Sequence, residues 1–213
     1  MGKIFNGILG RFSGKVGSIV GVNWRGLNII RALPKKSTRE VTVAQLFQRK
    51  KFAIVIRFLR LLKPIVGNYF GSNKGTNSRF NSATSYHIKE AVTPVGDSFE
   101  IMFNKVEITR GDLIGVQSPN VEALPDTALR FNWTDNSGQG QAKTTDRLIV
   151  VVYEPETKTA KYSLNLGTRD LETADFVLPS VISGATVHCW ISIVSENSKL
   201  VATSEYLGSI VLT

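Results

Sequence analysis

The chain has 213 residues, 42% of them hydrophobic and 20% charged, which is the balance of a globular protein with one large domain or a domain carrying an extension. The net charge of +9 is unevenly laid: Met1 to Val92 carries seventeen Lys and Arg against Glu40 and Glu90, a net of +15, and Thr93 to Thr213 carries nine against fifteen acids, a net of −6. That asymmetry points to a polyanionic partner or to self-association between the two parts, and the single cysteine, Cys189, excludes an intrachain disulfide and a cysteine-built zinc site.

The opening "MGKIFNGILGRFSGK" has no apolar stretch long enough for a signal peptide, and Asn6 stands where a myristoylation signal needs Ser or Thr. The most apolar window, Phe52–Leu62, is short and is broken by Arg57 and Arg60, so no membrane span is expected. These features lead us to expect a cytoplasmic protein, or one assembled into a particle made there.

From Gly14 to Pro34 the chain reads "GKVGSIVGVNWRGLNIIRALP". A phosphate-binding loop needs G-x-x-x-x-G-K-[ST]; here Val16 follows Gly14-Lys15 and Leu9 occupies the first glycine position, so the motif fails twice. A hairpin fits better. With Arg25-Gly26 as a two-residue turn, Trp24 faces Leu27, Val22 faces Ile29, Gly21 faces Ile30 and Ile19 faces Ala32. Such a ribbon is apolar on both faces and has to insert between other surfaces. Gly17 and Gly21, read as lying on the face of Ile19, would allow close approach by another backbone or helix.

This tract, with the helix and the strand-rich half that follow it, resembles a domain-of-unknown-function family of Bacteroidetes proteins that share G-K-V-G, a small-residue stretch, W-[KR]-G and R-x-x-P near the N-terminus. The matching positions are Gly14, Lys15, Val16, Gly17, Gly21, Trp24, Arg25, Gly26, Arg31 and Pro34. The resemblance spans the whole chain. It implies this order of elements and a bacterial or bacteriophage source, and it brings no activity with it.

A helix is expected from a T-x-x-Q capping box at Thr42 and Gln45 to Pro64. At about 100° per residue, Val43, Phe47, Ile54, Phe58 and Leu61 share a face, with Leu62 beside them. Arg49, Lys50, Arg57 and Arg60 cluster on another. Phe52, Ile56 and Leu59 widen the apolar arc, so this helix needs cover from the sandwich or from another subunit. The stretch "GNYFGSNKGTNSRFNSATSYH" then reads as a Gly/Ser/Asn-rich loop pinned by its aromatics.

The rest reads as short strands: Phe99–Phe103, Leu113–Val116, Ala128–Trp133, Arg147–Tyr153, Ala160–Leu166, Phe176–Leu178, Thr186–Val194 and Leu200–Leu207. Glu154–Thr159 is expected to turn a hairpin. The segment from Phe176 to Tyr206 resembles the end of a fibronectin type III or immunoglobulin-like sandwich, with Trp133 as its core tryptophan. The expected fold is thus mainly β: a basic hairpin and one long amphipathic helix in residues 1–92, then an acidic antiparallel β-sandwich in residues 93–213.

Catalytic patterns are missing. His87 and His188 fit no metal-ligand spacing, and His188 and Cys189, adjacent on a strand, point to opposite faces and cannot act on each other. Asp135, Asp146, Glu154 and Glu156 read as solvated loop carboxylates. A non-enzyme with no cofactor, no metal and no small-molecule substrate is expected. The expected role is structural: self-association, or docking into a larger particle such as a phage virion, through Gly17, Ile19, Gly21, Trp24, Ile30, Phe52, Ile56 and Leu59. The alternative is RNA or DNA binding by the basic half, through Lys35, Lys36, Arg39, Arg49, Lys50, Arg57 and Arg60.

Overall fold

At Arg25 and Gly26 the backbone turns with φ of +50° and +83°, the two left-handed residues in succession that a type I′ hairpin turn requires. The turn belongs to a four-stranded antiparallel ribbon in chain order, β1 (Lys3–Ile4), β2 (Phe12–Val16), β3 (Ile19–Trp24) and β4 (Leu27–Ala32). Across β3 and β4 the register pairs Trp24 with Leu27, Val22 with Ile29, Gly21 with Ile30 and Ile19 with Ala32, as the sequence predicts. This computed structural model describes residues 3–4, 10–35, 38–72, 75, 77–179 and 184–213. The chain divides into two units, Met1–Val43, which contains the ribbon, and Ala44–Thr213.

The second unit opens with three helices: α1 (Val43–Leu61), which starts at the junction directly after Thr42, then α2 (Lys63–Tyr69) and α3 (Arg79–Glu90). Pro64 ends α1 and sits in the first turn of α2, where its missing N–H costs nothing. Two parts of the stretch read as a loop, residues 67–69 and 79–87, are therefore helical. Ser78 caps α3 by accepting from the Asn81 N–H at 3.3 Å, and packing of Ala83, Thr84 and His87 overrides the low helix propensity of the Asn and Ser around them.

The strands follow as β5 (Val92–Val95), β6 (Ser98–Ile101), β7 (Gln117–Leu124), β8 (Ala128–Thr134), β9 (Arg147–Glu154), β10 (Thr159–Ser163), β11 (Thr173–Val177), β12 (Thr186–Val194) and β13 (Glu205–Val211). Apart from the β5–β6 hairpin they form two antiparallel sheets, β11-β8-β7 and β10-β9-β12-β13. Three strands opposite four in this order is the arrangement of a fibronectin type III sandwich, and Trp133 of β8 lies in its core. The Glu154–Thr159 turn is where it was expected. Leu113–Val116 forms only isolated bridges; the strand lies further on, at β7, an edge strand that tolerates Pro119.

Burial separates the two sheets by their chemistry. Strand β8 alternates, with Leu129, Phe131 and Trp133 inside and Arg130 and Thr134 exposed, so its sheet has one wet face. Strand β9 reads LIVVVYE and is buried from Leu148 to Glu154. Leu148, Val150 and Val152 join the core between the sheets with Val187, Cys189 and Ile191 of β12. Ile149, Val151 and Tyr153 face the other way, with Trp190 and Val194, into a second core built with Val55, Phe58, Leu59, Leu62, Ile65 and Val66 of the helices. The second unit is thus layered as helices, four strands, three strands. This common core joins residues 44–92 to the strands, and the unit boundary falls at Val43 rather than at Val92.

The polar centre of the second unit is Arg169, fully buried at the end of the three-stranded sheet. Its guanidinium donates to Asp146 Oδ2 at 3.1 and 3.3 Å, to the carbonyls of Ile114 at 2.9 Å and Gly115 at 3.0 Å, and to Asn136 Oδ1. Its own carbonyl accepts from Trp133 Nε1 at 2.7 Å. Asp146 is therefore not the solvated loop carboxylate expected, and Glu154, buried with the Thr157 hydroxyl donating to it, is not one either. Removing one charge leaves the other stranded, so Arg169→Met should cost about 3–5 kcal/mol in urea unfolding, and adding Asp146→Leu should restore much of it.

Candidate functional site

The ribbon register assigns faces. Phe12, Val16, Ile19, Gly21, Ile30 and Ala32 share one face; Lys15, Val20, Val22, Trp24, Leu27, Ile29 and Arg31 share the other. Ile19 and Ile30 therefore lie on one side and Trp24 on the opposite side. Both sides carry exposed apolar groups, with Trp24 at 45%, Leu27 at 54% and Ile30 at 63% exposure. Gly21 is the buried exception in β3: a Cβ there would meet the Phe12 ring at 2.6 Å and the Phe12 carbonyl oxygen. The close approach it permits is thus made by its own neighbouring strand. Gly17 sits in the β2–β3 turn with φ of +58° and open space around it, a turn residue and not a packing one.

Of the three helix positions, Phe52 is 52% exposed and Ile56 is half-buried, and with Phe80 and Ile88 of α3 they line an apolar groove of about 360 Å³. Leu59 is fully buried in the helix–sheet core and cannot belong to any outer surface. The buried stripe of α1 runs through Val55, Phe58 and Leu59 and continues into Leu62 beyond its end, and Val43 is exposed. Nearer the start, Phe47 meets Phe99 of β6 edge-on at 4.4 Å.

The cations are spread over both units. Lys35 and Arg39 are exposed in the first, and Lys36 lies outside the described residues. Arg49, Lys50, Arg57 and Arg60 are exposed along α1, with Lys50 Nζ donating to the Asp97 carbonyl at 3.0 Å. The Arg25 guanidinium lies 5.3 Å from the centre of the Trp24 ring at the hairpin tip. Of the aromatics that follow α1, Phe70 is buried, and Tyr69, Phe80 and Tyr86 rest against the same core.

Residues 11–208 match DUF6266, a family of unknown function. The chain belongs to that family. The match runs from just before β2 into β13, so strands β2 to β4 of the ribbon, the helices and nearly all of the sandwich fall within it. No curated protein matches the chain.

Among the described residues of this DUF6266 protein, no three His, Cys, Asp or Glu converge as a metal site would need, and no helix is long and apolar enough to cross a membrane. Cys189 faces the core between the sheets, and burial pushes its thiol up to about 12. His188 faces the opposite way, stacked on Phe103 at 3.9 Å and sharing a 2.7 Å hydrogen bond with the Tyr206 hydroxyl. His87 is buried against Phe58 and Phe70, with Nδ1 2.8 Å from the Ala83 carbonyl and no partner for Nε2 among the described residues.

Burial holds both imidazoles below their ordinary value, in His87 against the Ala83 hydrogen bond, which works the other way. Both are neutral in the folded chain at a pH where the unfolded chain takes up protons. Stability is therefore complete above about pH 6.5 and falls as pH drops below it, by at most about 1.4 kcal/mol per pH unit for His87. Urea unfolding from about pH 7 to about pH 5 should show this fall, and His87→Leu should reduce it to the part due to His188.

Proposed function

We propose that this chain is a non-enzymatic assembly protein whose N-terminal ribbon packs between copies or docks into a larger particle, such as a phage virion. The reading is carried by the ribbon itself. Strands β3 and β4 are apolar on both faces, yet Gly21 is the one buried residue described between Phe12 and Ala32. A sheet of this size buries too little by itself to be stable in water, and an exposed apolar edge such as β4 invites pairing with another chain. Eight Lys and Arg against Glu40 alone in residues 1–43, a net of +7, would favour an acidic neighbouring surface.

Size-exclusion chromatography with light scattering should give a discrete multimer free of nucleic acid at low and high salt. The double change Trp24→Ser and Ile30→Thr, one on each face, should reduce it to monomer while the thermal transition of the sandwich unit stays where it was. A wild-type chain that is monomeric when dilute at low salt would overturn the proposal.

A second reading, RNA or DNA binding, rests on the four exposed cations of α1 and on the solvent-exposed Trp24–Arg25 tip, which could stack on a base. It requires affinity that falls steeply with salt. Changing Arg49, Lys50, Arg57 and Arg60 to Gln should lower the slope of log K against log salt by about three to four. Salt-independent or undetectable binding of a mixed-sequence oligonucleotide removes this reading.

A further inference from the structure

Between α1, the β6 end of the β5–β6 hairpin and the β9–β10 turn lies a cleft of about 260 Å³. Its floor is apolar and mostly aromatic: Phe58, Phe103 and Tyr153, with Ile54 beside them. The rings hold one another in place. Phe58 meets Tyr153 edge-on at 5.1 Å and 83°, Phe103 lies 5.5 Å from Tyr153, and Phe103 is also stacked on His188.

The rim is charged. Arg57 projects from α1, one position before Phe58 and one turn after Ile54, and Lys158 projects from the β9–β10 turn. Both are exposed, and neither makes an ion pair or hydrogen bond among the described residues. Glu100 of β6 also lines the cleft without pairing with either, so the rim carries a formal charge of +1. The turn that presents Lys158 is stiffened from below, because the buried Glu154 carboxylate accepts from the Thr157 and Thr159 hydroxyls. Lys158 itself holds φ of +55°.

We propose that this cleft binds a small amphipathic monoanion: a carboxylate carried on an apolar ring or short chain, with the ring on the Phe58–Phe103–Tyr153 floor and the carboxylate between Arg57 and Lys158. Four observations select that class. The floor offers flat aromatic surface that excludes water from one side of a ligand. Two cations from different elements, neither in an ion pair, line the same cleft, and a charged donor gives a carboxylate the stronger kind of hydrogen bond. Glu100 leaves only one net positive charge, which suits a monoanion and disfavours a dianion. The volume is smaller than the roughly 300–1,000 Å³ of sites for drug-sized molecules, so the ligand is small.

The test is isothermal titration of the full chain with 4-phenylbutyrate and with its neutral amide, which fills the same shape. The carboxylate should bind at least about tenfold more tightly than the amide, and Arg57→Gln with Lys158→Gln should close that gap without shifting the thermal transition, both side chains being exposed. Amide NMR spectra should place the perturbation at Ile54, Tyr153 and Lys158. The proposal is overturned by equal binding of acid and amide, by a gap that survives the double variant, by perturbation confined to the Trp24–Leu27 ribbon, or by no saturable binding of either compound.

Discussion

The fold depends on one sheet that must be covered twice. Residues Leu148–Tyr153 of β9 and Val187–Val194 of β12 present apolar groups on both faces, with only His188 and Ser192 interrupting. One face is met by β7, β8 and β11; the other would expose Ile149, Val151, Trp190 and Val194 to water were it not for the helices. Each large apolar side chain left bare there would forfeit about 1.5–3 kcal/mol. The helices are thus a structural layer of the sandwich, and their inner faces are committed before any outer function begins. Leu59 illustrates the commitment, and Arg57, at the border of the same stripe, marks where it ends.

The N-terminal ribbon poses the same physical problem without that solution. Its strands too are apolar on both faces, but Trp24, Leu27 and Ile30 remain exposed. Within one chain, then, two sheets of similar two-sided character differ in whether a second and third layer encloses them. The covered one is a rigid scaffold that positions loops and clefts. The uncovered one leaves apolar side chains of both its faces at the surface.

Much of this was legible in the sequence where local rules act alone. The type I′ turn at Arg25-Gly26 sets the β3–β4 register, and matching apolar partners on either side of it left little choice. Strand β12 was readable to the residue because Thr186–Val194 is bounded by turn-forming residues. What stayed hidden depended on distant partners. Helix α3 is written in Asn, Ser and Thr, and only packing against the core makes it helical. Pro119 disguised β7, whose edge position excuses it. The burial of Asp146 could not be read without Arg169, 23 residues further on. The Arg57–Lys158 cleft joins a helix to a turn 101 residues away in sequence, so no local window contains it. Nor could composition reveal that Gly21 serves Phe12 of its own ribbon.

The lone thiol of Cys189 lies between the two sheets, enclosed by side chains from both and held protonated by its burial. A thiol in that state is almost inert toward alkylating reagents, which attack through the thiolate. The folded molecule therefore keeps its only sulfhydryl chemically silent, and modification has to wait until the sheets part. Cysteine chemistry in this protein is in effect a clock on the opening of its sandwich, blind to anything that happens on the ribbon.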